Sequence, residues 1–290
     1  MRLSIIQMSP GADRATNIAE AGRLIDAAVA ADRPDMVALP EVWNCLGGTR
    51  ATKFAQSETL PADIADAVPG SAVHFLRATA RRHGIHLHGG SILERVGAEG
   101  GTDQHLFNPS LAIGPDGALL ARYRKIHLFD ITTPDGTGYR ESATFSAGSD
   151  IVTYQANGLP IGCAICYDLR FAELFIALCG AGAEVIMLPS AFTLQTGKDH
   201  WEPLLRARAI ETQSWLAAPA TTGAHDDGHG NRRDTWGHAM VVDPWGQVVA
   251  QCSDGPGFVT ARIEPGRAAR IRRDMPVHVH RRLALPGRPA

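Results

Sequence analysis

The chain has 290 residues, with 28 basic and 30 acidic side chains, a formal charge of −2, 44% hydrophobic residues and 20% charged ones. This composition suits a globular protein with a large core and excludes a disordered or collagen-like chain. The basic residues are scattered and balanced by acidic ones, which argues against a nucleic-acid partner.

No apolar run approaches the ~20 residues of a membrane-spanning helix. The first residues, MRLSIIQMSPGADR, hold too short an apolar stretch for a signal peptide. A cytoplasmic protein with no membrane contact is expected. The five cysteines, at 45, 163, 166, 179 and 252, are expected as free thiols.

In chain order, Arg2 to Met8 reads as a short apolar strand. Residues 17–31 place apolar side chains at 18, 21, 24, 25, 28 and 29, a helical spacing. Residues 35–41, DMVALPE, read as a strand apolar on both faces, as strands covered by helices are. Residues 71–83 fit a helix capped by Ser71 and stopped by Gly84. Strands follow at 85–93, 110–113 and 118–123, the last two joined by the turn GPDG at 114–117. The second half continues with a buried strand at 161–166, a helix at 170–179 and a strand at 184–189. A helix is predicted over 199–213, with Asp199 and Glu202 as a capping box and Pro203 in its first turn. Strands at 215–220, 239–242 and 247–252 complete the pattern, the last pair joined by the turn DPWG at 243–246.

Two pairs of segments look alike. LAIGPDGALLA (111–121) matches MVVDPWGQVVA (240–250), and MVALPE (36–41) matches VIMLPS (185–190). They suggest two similar α/β halves packed into one domain over 1–276, with 277–290 as a C-terminal tail whose last ten residues are extended. Residues 131–140 and the polar, Gly-rich 222–235 are expected as loops, the second mobile.

Three residues could carry chemistry, each with an ordinary alternative. Glu41 ends a buried strand, where an unpaired carboxylate is unfavourable, and could equally be a cap or an ion pair. Cys166 ends another, on a strand-to-helix turn that aims backbone N–H groups at a forming anion, and could instead be a small buried hydrophobe. Lys125, in YRKIHLF (123–129), could point inward or belong to a solvated charge run. The CAIC at 163–166 has no second CxxC, and the His86/His88 and His278/His280 pairs lack a third ligand, so no metal is expected. No phosphate-binding glycine loop is present, so no nucleotide cofactor is expected either.

Taken together, LPE at 39–41, YRKIHLFD at 123–130 and CYDLRFAEL at 166–174 resemble the nitrilase superfamily of carbon–nitrogen hydrolases over nearly the whole chain. PSAFTLQTGKDHWEPLLRARAIETQ (189–213) and WGHAMVVDPWG (236–246) look like its branch of ω-amidases and deaminated-glutathione amidases. The resemblance implies a four-layer αββα sandwich that forms homodimers. It implies a catalytic triad of Glu41, Lys125 and Cys166, with Glu141 as a further polar residue. Tyr167, Arg170, Phe192 and Thr193 would be substrate-binding residues, with Arg170 the group suited to a carboxylate. Ala172 stands where many relatives have proline.

The implied reaction is hydrolysis of a small linear amide, often an α-keto acid amide, by a cysteine thioester and water, without metal or cofactor. Free Cys and Glu pKa values of about 8.5 and 4.3 oppose the proton transfer by ~4 units. Burial is expected to raise Glu41, and the helix start and Lys125 to lower Cys166. Competing readings are a carbamoyl-amide hydrolase or nitrilase on the same fold, a Cys-His hydrolase using His127, His200 or His238, and a non-catalytic sensor.

Overall fold

The computed structural model describes residues 1–97, 104–133 and 136–283. The first half runs β1 (Arg2–Met8), α1 (Arg14–Asp32), β2 (Met36–Ala38), α2 (Arg50–Gln56), α3 (Ala72–His83), β3 (His86–Ser91), β4 (Glu94–Val96), β5 (His105–Phe107), β6 (Pro109–Ile113), β7 (Leu119–Arg124), β8 (Asp130–Thr132) and β9 (Gly138–Arg140). The second runs β10 (Thr153–Ala156), β11 (Leu159–Cys163), α4 (Ala172–Gly180), β12 (Val185–Met187), α5 (Leu194–Thr212), β13 (Trp215–Ala218), β14 (Ala220–Asp226), β15 (Arg232–Trp236), β16 (Met240–Val242), β17 (Val248–Gln251), β18 (Gly257–Arg262), α6 (Arg267–Asp274) and α7 (Val277–His280).

Side-chain alternation along β1 shows why the layers form. Leu3 and Ile5 face a core shared with Ile161, Val185 and Leu216 of the second half. Ile6 and Met8 point the other way, into a core with Leu24 and Ile25 of α1 and Leu76 of α3. The result is an αββα sandwich. An eight-stranded sheet, ordered β15-β14-β1-β2-β3-β6-β7 with β18 also on β1, faces a six-stranded sheet ordered β10-β11-β12-β13-β16-β17. Helices α1 and α3 cover one outer face, and α4 and α5 the other.

The halves repeat one plan. β1, β2 and β3 are parallel and continue into antiparallel β6 and β7. β11, β12 and β13 are parallel and continue into antiparallel β16 and β17. The closing hairpins even share a hydrogen-bond pattern. Gly114 N donates to Ala118 O and Gly117 N to Gly114 O, as Asp243 N does to Gln247 O and Gly246 N to Asp243 O.

Several expectations are corrected. Helix α5 begins at Leu194, not at Asp199, because the Thr193 hydroxyl accepts from Thr196 N and caps it. Asp199 and Glu202 instead pair with Lys198 and Arg206 on the surface, and Pro203 lies inside the helix on an exposed face. The polar 222–235 segment forms most of the ribbon β14–β15, paired from Thr222–Trp236 to Asp226–Arg232. Its His225 is buried between Pro10 O and the Thr235 hydroxyl. Residues 131–140 hold the small β8–β9 ribbon. α2, β18 and α6 were not anticipated; α6 docks through Arg272, which donates to Ala183 O, Thr212 O and the Ser214 hydroxyl. The expected extended tail lies outside the described residues from 284 on.

The His86/His88 pair is separated by burial. His88 is wholly buried between the sheets, bonded to the Tyr154 and Ser110 hydroxyls, and its pKa is pushed down to about 3. Among the described residues no cluster of three or more His, Cys, Asp or Glu could hold a metal. All five cysteines are free, and no described helix is long and apolar enough to cross a membrane.

Candidate active site

The two Leu-Pro segments end at one place. After β2 the chain passes Leu39-Pro40 to Glu41, and Gly90 lies directly beneath it. An added Cβ at Gly90, whose φ is +58°, would come within 2.1 Å of Pro40 O, so only glycine fits. Val42 then takes φ 45°, rare for a β-branched residue, and its N–H is held by the Ser91 hydroxyl at 2.9 Å.

Cys166 follows β11 with φ 48°, and its N–H donates to Pro189 O at 3.0 Å. Asp168, fully buried, secures the turn. It accepts from Ile165 N at 2.8 Å, the Tyr123 hydroxyl at 2.7 Å and His127 N at 3.1 Å, and it pairs with His127 Nδ1 at 2.7 Å. One carboxylate thus ties the Cys166 turn to the segment carrying Lys125.

Lys125 Nζ donates to Glu41 Oε1 at 2.9 Å and to both Glu141 oxygens at 3.0 and 2.8 Å. Asn108 braces both partners: its side chain donates to Glu41 Oε1 at 3.0 Å, and its carbonyl accepts from Lys125 N at 3.1 Å. Glu141 is fixed by Phe129 N at 2.6 Å. Glu41, Lys125 and Cys166 are buried, at 3%, 2% and 6% exposure. With Glu141 they line a cavity of about 210 Å³, which also takes in Tyr139, Tyr167, Phe192, Thr193, Lys53, Arg140 and Arg233.

Burial alone would raise Glu41. The Lys125 charge and hydrogen bond, a hydrogen bond from the Cys166 thiol and the charge of Arg233 outweigh it and hold the carboxyl below its usual range. Burial likewise opposes charge on Lys125, but Glu141 and Glu41 raise it well above the usual lysine range. Burial and then the Glu41 charge push the Cys166 thiol well up, against Lys125 and the Ala191 N–H. The expected directions for Glu41 and Cys166 are therefore reversed in the free protein. Lys125 serves two carboxylates at once, and the turn at Cys166–Arg170 is a five-residue 3-10 helix with little dipole to offer. The resting site is a neutral thiol beside a carboxylate and an ammonium.

The structure brings Glu41, Lys125, Glu141, Cys166, Tyr167, Phe192 and Thr193 to one cavity. Arg170 does not line it. Its guanidinium lies over the rings of Tyr167 and Phe192, 5.9 and 5.6 Å from their centres, and contacts His200. None of His127, His200 and His238 lines the cavity, which leaves a cysteine–histidine pair without geometry. Sequence reasoning missed Asn108, Asp168, Lys53 and Arg233. Of these only Asp168 had a usable signal, two residues after the cysteine in CYDLR.

With fold and site together, the kinship is plain. The carbon-nitrogen hydrolase family profile matches residues 2–273, and the chain belongs to that family. The deaminated glutathione amidase of Synechocystis sp. is 40% identical over 278 residues, covering 95% of this chain and 96% of that protein. The omega-amidase NIT2 of Mus musculus is 36% identical over 284 residues, 98% of this chain and 96% of that protein. Among solved structures, the NitFhit protein of C. elegans superposes with a TM-score of 0.84 at 35% identity over 97% of this chain, which spans 65% of the NitFhit chain. Nit3 of Saccharomyces cerevisiae, of branch 10 of the nitrilase superfamily, superposes with a TM-score of 0.79 at 28% identity, covering 96% of this chain and 94% of Nit3.

Proposed function

We propose that this carbon–nitrogen hydrolase cleaves small, carboxylate-bearing linear amides, α-keto acid amides among them, through a thioester on Cys166. The observation that carries this reading is the Lys125 ammonium, held at 2.9 Å by Glu41 and 2.8 Å by Glu141 beside the buried thiol. The names of the relatives, deaminated glutathione amidase and omega-amidase, support the substrate class.

Glu41 is the base. It takes the thiol proton as sulfur attacks the carbonyl carbon, so no free thiolate need exist beforehand. The developing oxyanion is met by Lys125 and the Tyr167 N–H. Loss of one such donor typically costs ~10²–10³ in rate. Glu41 then hands its proton to the leaving nitrogen, released as ammonia or an amine. It next takes a proton from the water that attacks the thioester, and the thiol recovers that proton as the carboxylate product leaves. Glu141 holds Lys125 and orients the substrate amide. Tyr167, Phe192 and Thr193 shape the acyl site.

Residues 1–276 act as one catalytic domain in this reading, within a cytoplasmic homodimer. Exposed Ile210 and Trp245, the first packed beside Gly246, support a self-associating face. Time courses of ammonia or amine release from α-ketoglutaramate, succinamate, deaminated glutathione, N-carbamoyl compounds and nitriles test the assignment. Turnover confined to N-carbamoyl compounds or nitriles would refute it.

A further inference from the structure

The cavity wall away from Lys125 carries charge of one sign only. Arg233, from β15, donates Nη2 to Ala191 O at 2.7 Å, and its Nε is buried without a partner. Lys53, from α2, donates to Gly48 O at 2.9 Å. Neither cation has an ion-pair partner among the described residues. Both are half-buried. Burial, with the nearby Arg233 charge, depresses Lys53. Buried cations are normally paired or used.

The two cations are held in place before any ligand arrives. Gly48 N donates to Asp226 O at 2.8 Å, and a Cβ at Gly47, φ +99°, would meet the same oxygen at 2.5 Å. The loop before α2 is therefore stapled to the β14–β15 ribbon, fixing Lys53 relative to Arg233. Ala191 fixes Arg233 relative to the nucleophile, since its N–H bonds the Cys166 thiol and its carbonyl the guanidinium. Arg140, also on the cavity lining, is exposed to solvent and donates to Ile131 O and Tyr139 O. The half-buried pair is left for the acyl chain.

We propose that Arg233 and Lys53 form the anion subsite that holds a carboxylate on the acyl part of the substrate, a few carbon atoms from its scissile carbonyl. Arg170, the arginine singled out by the sequence, has no part in it. The assignment rests on the amidase reading above and names the residues that select for charge within it.

The test compares kcat/KM for succinamate with that for butanamide, its uncharged counterpart. Arg233→Gln lowers the ratio about 100-fold and Lys53→Met about 10-fold, while Arg233→Lys recovers part of the loss. Arg170→Gln leaves the ratio within about twofold. A ratio unmoved by Arg233→Gln, or one that collapses at Arg170→Gln, overturns the proposal. Equal loss on both amides does so too, because it would place Arg233 in the chemistry. Succinate binding to the Cys166→Ala protein, followed by calorimetry, separates the two claims. If the wild type hydrolyses no amide, the amidase reading fails. The subsite still stands if succinate binding weakens about 100-fold on adding Arg233→Gln, and falls if binding is indifferent to it.

Discussion

Two walls of one cavity are built on opposite electrostatic terms. On one, every charge is answered: Lys125 by Glu41 and Glu141, and Glu41 in turn by Asn108. On the other, Lys53 donates to a backbone carbonyl, and Arg233 to a backbone carbonyl while lying over the Tyr139 ring, with no carboxylate against either among the described residues. The paired wall is complete without ligand and can hold its geometry through a reaction cycle. The unpaired wall gains most of its interactions when an anion enters. The contrast separates the proposed machinery from the proposed recognition surface, and the two meet at Arg233, whose charge helps to lower Glu41 and whose anchor Ala191 also bonds the Cys166 thiol.

On the paired wall the largest effect is expected at Cys166, the proposed nucleophile. Cys166→Ala should abolish turnover, a loss above about 10³-fold, while thermal unfolding stays close to wild type. Glu41→Gln should follow, with a loss of about 10²–10⁴-fold in kcat. Lys125→Met leaves Glu41 and Glu141 facing each other without a cation. Urea unfolding should report a stability loss of about 3–5 kcal/mol, and an unchanged midpoint would show that the cluster is not the compensated unit described here.

The pH dependence sharpens the same contrast. Glu41 is depressed, so its stabilisation is present above the unfolded carboxylate pKa of about 4.3 and is lost as pH falls through the lower folded value. Lys125 is raised, so its contribution is present below about 10.4 and is lost as pH rises through the higher folded value. With the thiol also raised, kcat/KM should be flat from about pH 6 to about pH 8. A limb rising toward about pH 8.5 would mean that a free thiolate attacks.

The smallest effect concerns the turn after Cys166. Ala172 is the first residue of α4, and Phe171 before it is extended, at φ −108° and ψ 93°. Proline fits both positions. Ala172→Pro should change stability by no more than about 1 kcal/mol, and in the stabilising direction. Activity should be unchanged; marked destabilisation would show that the Ala172 N–H has a partner.

How much of this was legible in the sequence follows from where each residue sits. Glu41, Lys125, Glu141 and Cys166 lie in compact motifs at strand ends, so local pattern and family resemblance could point to them. The repeated turns GPDG and DPWG exposed the doubled plan for the same reason. The unpaired wall was hidden because it depends on a long-range staple between Gly48 and Asp226. Without that contact, α2 is a short polar helix and β14–β15 a glycine-rich stretch that reads as a loop. Asn108 was invisible for a similar reason: its partners, Glu41 and Lys125, come from separate segments. Arg170 drew attention through its place in CYDLR, but its side chain packs against the aromatic rings rather than entering the cavity.

The central claim is that Cys166 carries the acyl group between amide and acid. Acid-quenched protein, sampled during turnover of a carboxylate-bearing amide and digested for mass spectrometry, tests it most directly. The account predicts the mass of the acyl group on the peptide bearing Cys166 and nowhere else. An unmodified Cys166 peptide, together with turnover by the Cys166→Ala protein, would contradict it.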